Sequence, residues 1–149
     1  MVELVPASPA HIGTIANRMR EIDRRECEAM GRRPKQALRA GISQSDMCWT
    51  AMVDSRPEAM FGRVVESALT GDATVWFLGT DEVYRHPREM IRWGKFIVRN
   101  MGDSRLCLRN LVSVENGRAI RLLRHWGFEV SEGVVTIRGV AFHRFEGRF

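Results

Sequence analysis

The chain has no long hydrophobic run: its uninterrupted apolar stretches are a handful of residues each, too short for a membrane-spanning helix. Its first residues, MVELVPASPAH, lack both the basic start and the apolar segment of a secretory signal. Cysteine is scarce and odd in number. Cys27, Cys48 and Cys107 are far apart and form no C-x-x-C, which argues against a disulfide framework and a thiolate metal site. They read as reduced core residues of a cytosolic protein. The four histidines (His11, His86, His125 and His143) show no metal-ligand spacing either. No P-loop, dinucleotide fingerprint, H-E-x-x-H or nucleophile elbow is present. With no repeat and no low-complexity linker, residues 1–149 are expected to form one domain.

Arginine, by contrast, is abundant. It supplies 21 of the 23 basic residues against 18 acidic ones, for a net charge of +5. Such a field favours anionic partners: nucleoside phosphates, nucleic acid or an acidic protein face. Along the sequence the positive charge is spread out, without a basic tail or an evident aromatic–arginine ladder. A solvated arginine-rich surface is the simpler reading, and nucleic-acid binding ranks low.

Periodicity gives a mixed α/β (α+β) chain in the order β-α-α-β-β-β-α-β-α-β-β. Val2 to Val5 is a first strand, and Ser8-Pro9 caps a helix expected to run to about Met30. Pro34 opens a second helix. Cys48–Val53 and Ala59–Ser67 are strands around a turn at Asp54–Pro57. The run Thr74–Leu78 suits a central strand covered on both faces, and Pro87 begins a third helix. Val134–Ile137 and Val140–Phe145 close the sheet.

The most informative stretch is LRNLVSVENGRAIRLLRHWGFEV, Leu108 to Val130. A strand enters a helix capped by Glu115 or Asn116. Ala119, Leu122, Leu123 and Trp126 form one apolar stripe, and Gly127 suits the left-handed position past the end. The pattern N-x-x-A-x-x-L-x-x-x-x-G-F resembles the coenzyme A-side motif of the GNAT N-acyltransferase superfamily, whose element order also matches. More narrowly, DRRECEAMG, CWTAMVDSRPEAMFG, VWFLGTDEV and the stretch above resemble the GNAT-like phage family typified by internal virion protein A of short-tailed phages. That resemblance implies a phage origin, residence in the host cytoplasm or the virion, and virion or assembly proteins as partners.

The superfamily resemblance also implies a site. Phe77, Leu78 and Gly79, the last at an expected bulge, would grip the pantetheine arm, and backbone N–H groups near Leu78 and Gly79 would polarise the thioester. Asn116 would contact the cofactor, and Ala119 would leave room beside it. The superfamily's glycine loop for pyrophosphate is replaced by Tyr84-Arg85-His86-Pro87-Arg88, so Arg85, His86 and Arg88 would have to hold phosphate through their side chains. Leu123 stands where many members carry an acidic tyrosine, leaving Tyr84 as the substitute. Glu66, Asp81 or Glu82 would serve as general base. Two functions follow: a degenerate fold kept for virion assembly with little or no catalysis, or an acetyl-coenzyme A-dependent N-acetyltransferase acting on an amine.

Overall fold

The computed structural model describes residues 1–149. Eight strands form one mixed sheet: β1 (Val2–Pro6), β2 (Met47–Val53), β3 (Arg56–Ser67), β4 (Asp72–Gly79), β5 (Cys107–Ser113), β6 (Glu129–Val130), β7 (Val135–Ile137) and β8 (Val140–Gly147). Their order across the sheet is β1-β2-β3-β4-β5-β8-β6, with β7 also paired to β8. Only β4 and β5 run parallel. The β2–β3 hairpin turns on Asp54 and Ser55, both at positive φ (48° and 67°), which is why β3 starts at Arg56 and includes Pro57.

Strand alternation divides the core in two. On one face Met60, Trp76 and Leu78 meet α1 (Ile12–Asn17), α2 (Glu21–Ala29) and α3 (Pro34–Gln44) through Ile15, Cys27 and Leu38, with Met19 between α1 and α2. On the other, Phe61, Val75, Phe77, Leu108 and Val112 meet α4 (Pro87–Met101) and α5 (Gly117–His125). Helix α4 buries Met90, Ile97, Val98 and Met101. Gly94 is needed there because a Cβ would lie 2.0 Å from the Trp126 indole, whose Nε1 donates to the Met90 carbonyl at 3.2 Å. No helix is long and apolar enough to cross a membrane.

Three local expectations are corrected. The first helix is interrupted between Asn17 and Glu21. There Met19 forms an antiparallel bridge with Thr80, and the Arg20 N–H donates to the Gly79 carbonyl at 3.0 Å. No glycine or proline marks that break; a tertiary pairing makes it. Gly79 is not a bulge: Ala59 and Gly79 pair in register, and the irregularities fall between Ala51 and Met52 and between Val65 and Ser67. Its small size is used for close packing, since a Cβ would lie 3.0 Å from that of Ala59. In α5 the buried stripe is Ile120, Leu122 and Leu123, with Ala119 and Trp126 only half-buried.

Asn116, not Glu115, caps α5, accepting from the Ala119 N–H at 3.4 Å. Gly127 has φ +99°, and the Phe128 N–H bonds the Leu123 carbonyl at 3.0 Å, so the helix ends as the sequence indicates.

Glu58, fully buried, fastens this architecture at the end of β4. It accepts from Arg18 at 2.5 Å, from Arg56 at 2.6 Å and from the Thr80 hydroxyl. Burial pushes its pKa up, but the hydrogen bonds from Arg18, Thr80 and Arg56 outweigh burial and hold it below the usual carboxylate value.

Candidate active site

Strands β4 and β5 pair only at Asp72–Cys107, Ala73–Leu108 and Thr74–Arg109. One further tie follows, from Asn110 Nδ2 to the Val75 carbonyl at 2.8 Å. Beyond it the strands diverge. The Thr80 N–H bonds Glu58 on β3, so alternation turns the backbone groups of Trp76 and Leu78 toward β3 as well. The odd residues turn the other way, into the gap. Gly79 is already satisfied there: its N–H donates to Asp23 Oδ2 at 2.9 Å and its carbonyl accepts from Arg20. Phe77, two residues earlier, faces the gap with its N–H and carbonyl.

The divergence opens a cavity of about 490 Å³. Its walls include Cys27, Met30 and Trp76 from the α1–α3 side and Phe77, Ala119 and Leu123 from the α4–α5 side. It is therefore a passage through the sheet, with access to both layers of helices.

A polar cluster stands at the wide end. Asn116 Nδ2 donates to Glu26 Oε1 at 2.7 Å, and Asn116 Oδ1 accepts from Arg20 at 3.3 Å. Arg20 also pairs with Asp23 at 3.3 Å, and its guanidinium lies 4.0 Å from the Tyr84 ring centroid. Burial raises the Asp23 pKa to about 6, against the pull of Arg20 and of the Gly79 N–H. Burial, reinforced by the Asp23 charge, raises Glu26 to about 7. The Asp23 charge bears on Glu26, so the two carboxyls titrate as a coupled pair. The same burial pushes the Cys27 thiol up to about 12, which makes it an inert wall.

The residues expected from sequence are partly gathered here. Leu78, Tyr84, Asn116 and Ala119 line the cavity. Glu66 lines it too, exposed beside Thr74 at the closed end of the gap, where its carboxylate accepts from the Thr74 hydroxyl at 3.0 Å. Glu82, Arg85 and Arg88 are not on the lining. Glu82 pairs with Arg85 at 3.0 Å, and Arg85 and Arg88 are solvent-exposed. Asp81 is exposed as well, 3.7 Å from Arg20. The backbone N–H groups of Leu78 and Gly79 are committed to β3 and Asp23, so of the three residues expected to grip a pantetheine arm only Phe77 has its N–H turned into the gap. Burial and the Asp23 charge push the Tyr84 phenol well above its ordinary pKa, so it stays protonated at neutral pH and is a weaker proton donor than an ordinary tyrosine.

Arg20, Asp23 and Glu26 were not singled out by sequence. A signal existed: Asp23, Glu26, Cys27 and Met30 fall at i, i+3, i+4 and i+7, placing two carboxylates on the packed face of a helix.

No family model matches the chain, and no curated protein matches it in sequence. Solved structures match it in shape. An aminoglycoside acetyltransferase, AAC(6′)-Ib, in complex with coenzyme A superposes with a TM-score of 0.67 at 16% identity, over 99% of this chain and 95% of that one. A GNAT-family acetyltransferase from Bacillus anthracis gives 0.68 at 7% identity, over 99% and 94%. One from Streptococcus pneumoniae gives 0.62 at 10% identity, over 99% of both chains. The mixed sheet, its parting between β4 and β5, and its two layers of helices are the GNAT acyltransferase fold.

Proposed function

We propose that this chain is an N-acyltransferase that moves an acyl group from a thioester such as acetyl-coenzyme A to an amine. The observation that carries this reading is the passage through the sheet with Glu26, at a pKa of about 7, on its α2 wall. Phe77 offers one N–H and one carbonyl to the amide groups of a pantetheine arm lying between β4 and β5. Ala119 leaves space beside that arm, as a larger residue would not. The amine enters from the α2–α3 side, where Glu26 takes its proton directly or through one water. The nitrogen then bonds the thioester carbon, and the carbon–sulfur bond breaks with its electron pair on sulfur. A thiolate whose acid has a pKa of ~8.5 departs without a dedicated proton donor, which makes leucine at position 123 tolerable.

Calorimetric titration with acetyl-coenzyme A tests this directly. Micromolar binding is expected, weakened at least tenfold by Ala119→Phe, which fills the passage. Absence of binding at millimolar ligand to the folded protein contradicts it.

One observation favours a second reading. At the start of α4, His86 lies 3.6 Å from both Glu82 and Glu89, so carboxylates already occupy the helix end where a pyrophosphate would bind. With Pro87 at N1, no glycine loop and Leu123 in the motif, the fold would then serve phage virion assembly, bound to virion proteins in the particle or the host cytoplasm. The support for a phage role is the sequence resemblance alone.

A further inference from the structure

Two neighbouring helices carry a net positive charge larger than that of the whole chain. Helix α4 carries Arg88, Arg92, Lys95 and Arg99 with one acid, Glu89; α5 carries Arg118, Arg121 and Arg124 with none. Together they hold a net +6, and because the whole chain is +5, the rest of it is net −1. All seven cations are exposed, and none enters an ion pair within the chain. Elsewhere arginines are mostly spoken for, as Arg18 and Arg56 are by Glu58 and Arg63 is by Asp46. A second group of exposed cations, Arg32, Arg33, Lys35 and Arg39, lies at the start and along α3 on the other side of the sheet, and no exposed aromatic accompanies it.

Spacings of four, three and four residues put the α4 cations on one outward stripe. The Trp126 indole, seated on Gly94 and bonded to Met90, joins α5 to α4 as one surface. Beside Arg92 and Lys95, Phe96 stands 56% exposed, its ring edge-on to Trp93 at 6.1 Å. The Arg92 guanidinium lies 5.6 Å from the Trp93 ring. An exposed aromatic among unpaired arginines matches a phosphodiester backbone carrying unstacked bases. Six of the seven cations being arginine suits planar, two-pronged contacts to phosphate.

We propose that the outer face of α4 and α5 binds single-stranded nucleic acid, with phosphates on the arginines and a base stacked on Phe96. This surface is separate from the passage through the sheet and does not depend on acyl transfer.

Fluorescence anisotropy with labelled single-stranded DNA and RNA oligonucleotides tests it. Four or five phosphate contacts give a log–log salt slope of about −3, so affinity should fall about 60-fold between 50 and 200 mM salt. The triple variant Arg92→Gln, Lys95→Gln, Arg99→Gln should lose at least tenfold in affinity. Phe96→Ala should weaken binding severalfold with the salt slope unchanged. Lys35→Gln with Arg39→Gln, exposed on α3 across the sheet, should leave binding intact. Three results would each overturn the assignment: no binding at 50 mM salt, equal loss in the α3 and α4 variants, or a duplex bound at least as tightly with no response to Phe96→Ala.

Discussion

Glu26→Gln lowers the rate of acyl transfer by about 10²–10⁴-fold, the range expected for removing a general base, while the KM for the thioester changes little. The variant should fold, because a glutamine carbonyl can still accept from Asn116 Nδ2, which now donates to Glu26 Oε1 at 2.7 Å. What it loses is the group whose pKa burial and Asp23 hold at about 7. The wild-type kcat/KM should therefore climb with pH through about 7 and level off. In the variant that limb should be missing. Thiol release from acetyl-coenzyme A in the presence of an amine panel reads both effects. An unchanged rate in Glu26→Gln would remove this carboxylate from the chemistry.

The folded protein loses stability as pH rises from about 4 to about 7, an unusual direction for acidic groups. Burial lifts Asp23 from 3.8 to about 6 and Glu26 from 4.5 to about 7. Between those values the folded chain binds more protons than the unfolded one, so each increment of pH favours unfolding. The pair's contribution is fully present below the unfolded pKa values and is gone above the folded ones. A tenfold change in proton affinity is worth about 1.4 kcal/mol, so the two groups together withhold on the order of 5 kcal/mol at pH 8 relative to pH 4.5. For a chain of this size that is about 10–20 °C in Tm. Glu58 and Asp46 work the other way. Their pKa values are held down, Asp46's chiefly by its hydrogen bonds from Arg63, so their stabilisation is lost as pH falls below the ordinary carboxylate range. Maximum stability is thus expected at about pH 4–4.5, between the two losses. Scanning calorimetry between pH 4.5 and 8 should show the decline in the wild type and about half of it in Glu26→Gln. A wild-type Tm that rises across that interval would show that the pair is not buried as described.

Most of the scaffold could be read from local pattern, because periodicity and caps act over a few residues. Ser8-Pro9, Pro34, Pro87 and Gly127 mark helix ends where the structure has them. The motif from Leu108 to Phe128 led to the fold because it encodes a strand, a cap and a helix stop in one stretch. What stayed hidden was long-range. The break at Met19 exists only because Thr80, sixty-one positions later, pairs with it. The role of Asp23 depends on the Gly79 N–H, and that of Glu26 on Asn116, ninety positions away. Arg85 and Arg88 looked suited to phosphate in the sequence, but helix geometry turns them to solvent outside the cavity. The basic face had the same cause: α4 and α5 are apart in sequence and joined through Trp126.

The most direct measurement is a backbone amide spectrum of the labelled protein titrated with acetyl-coenzyme A. The largest shifts should fall on Phe77, whose N–H faces the gap, and on Val112, Asn116 and Ala119 along the cavity wall. The Gly79 amide, held by Asp23, should respond less. No shifts in these residues at millimolar ligand, or shifts confined to the outer face of α4 and α5, would contradict a thioester site between β4 and β5.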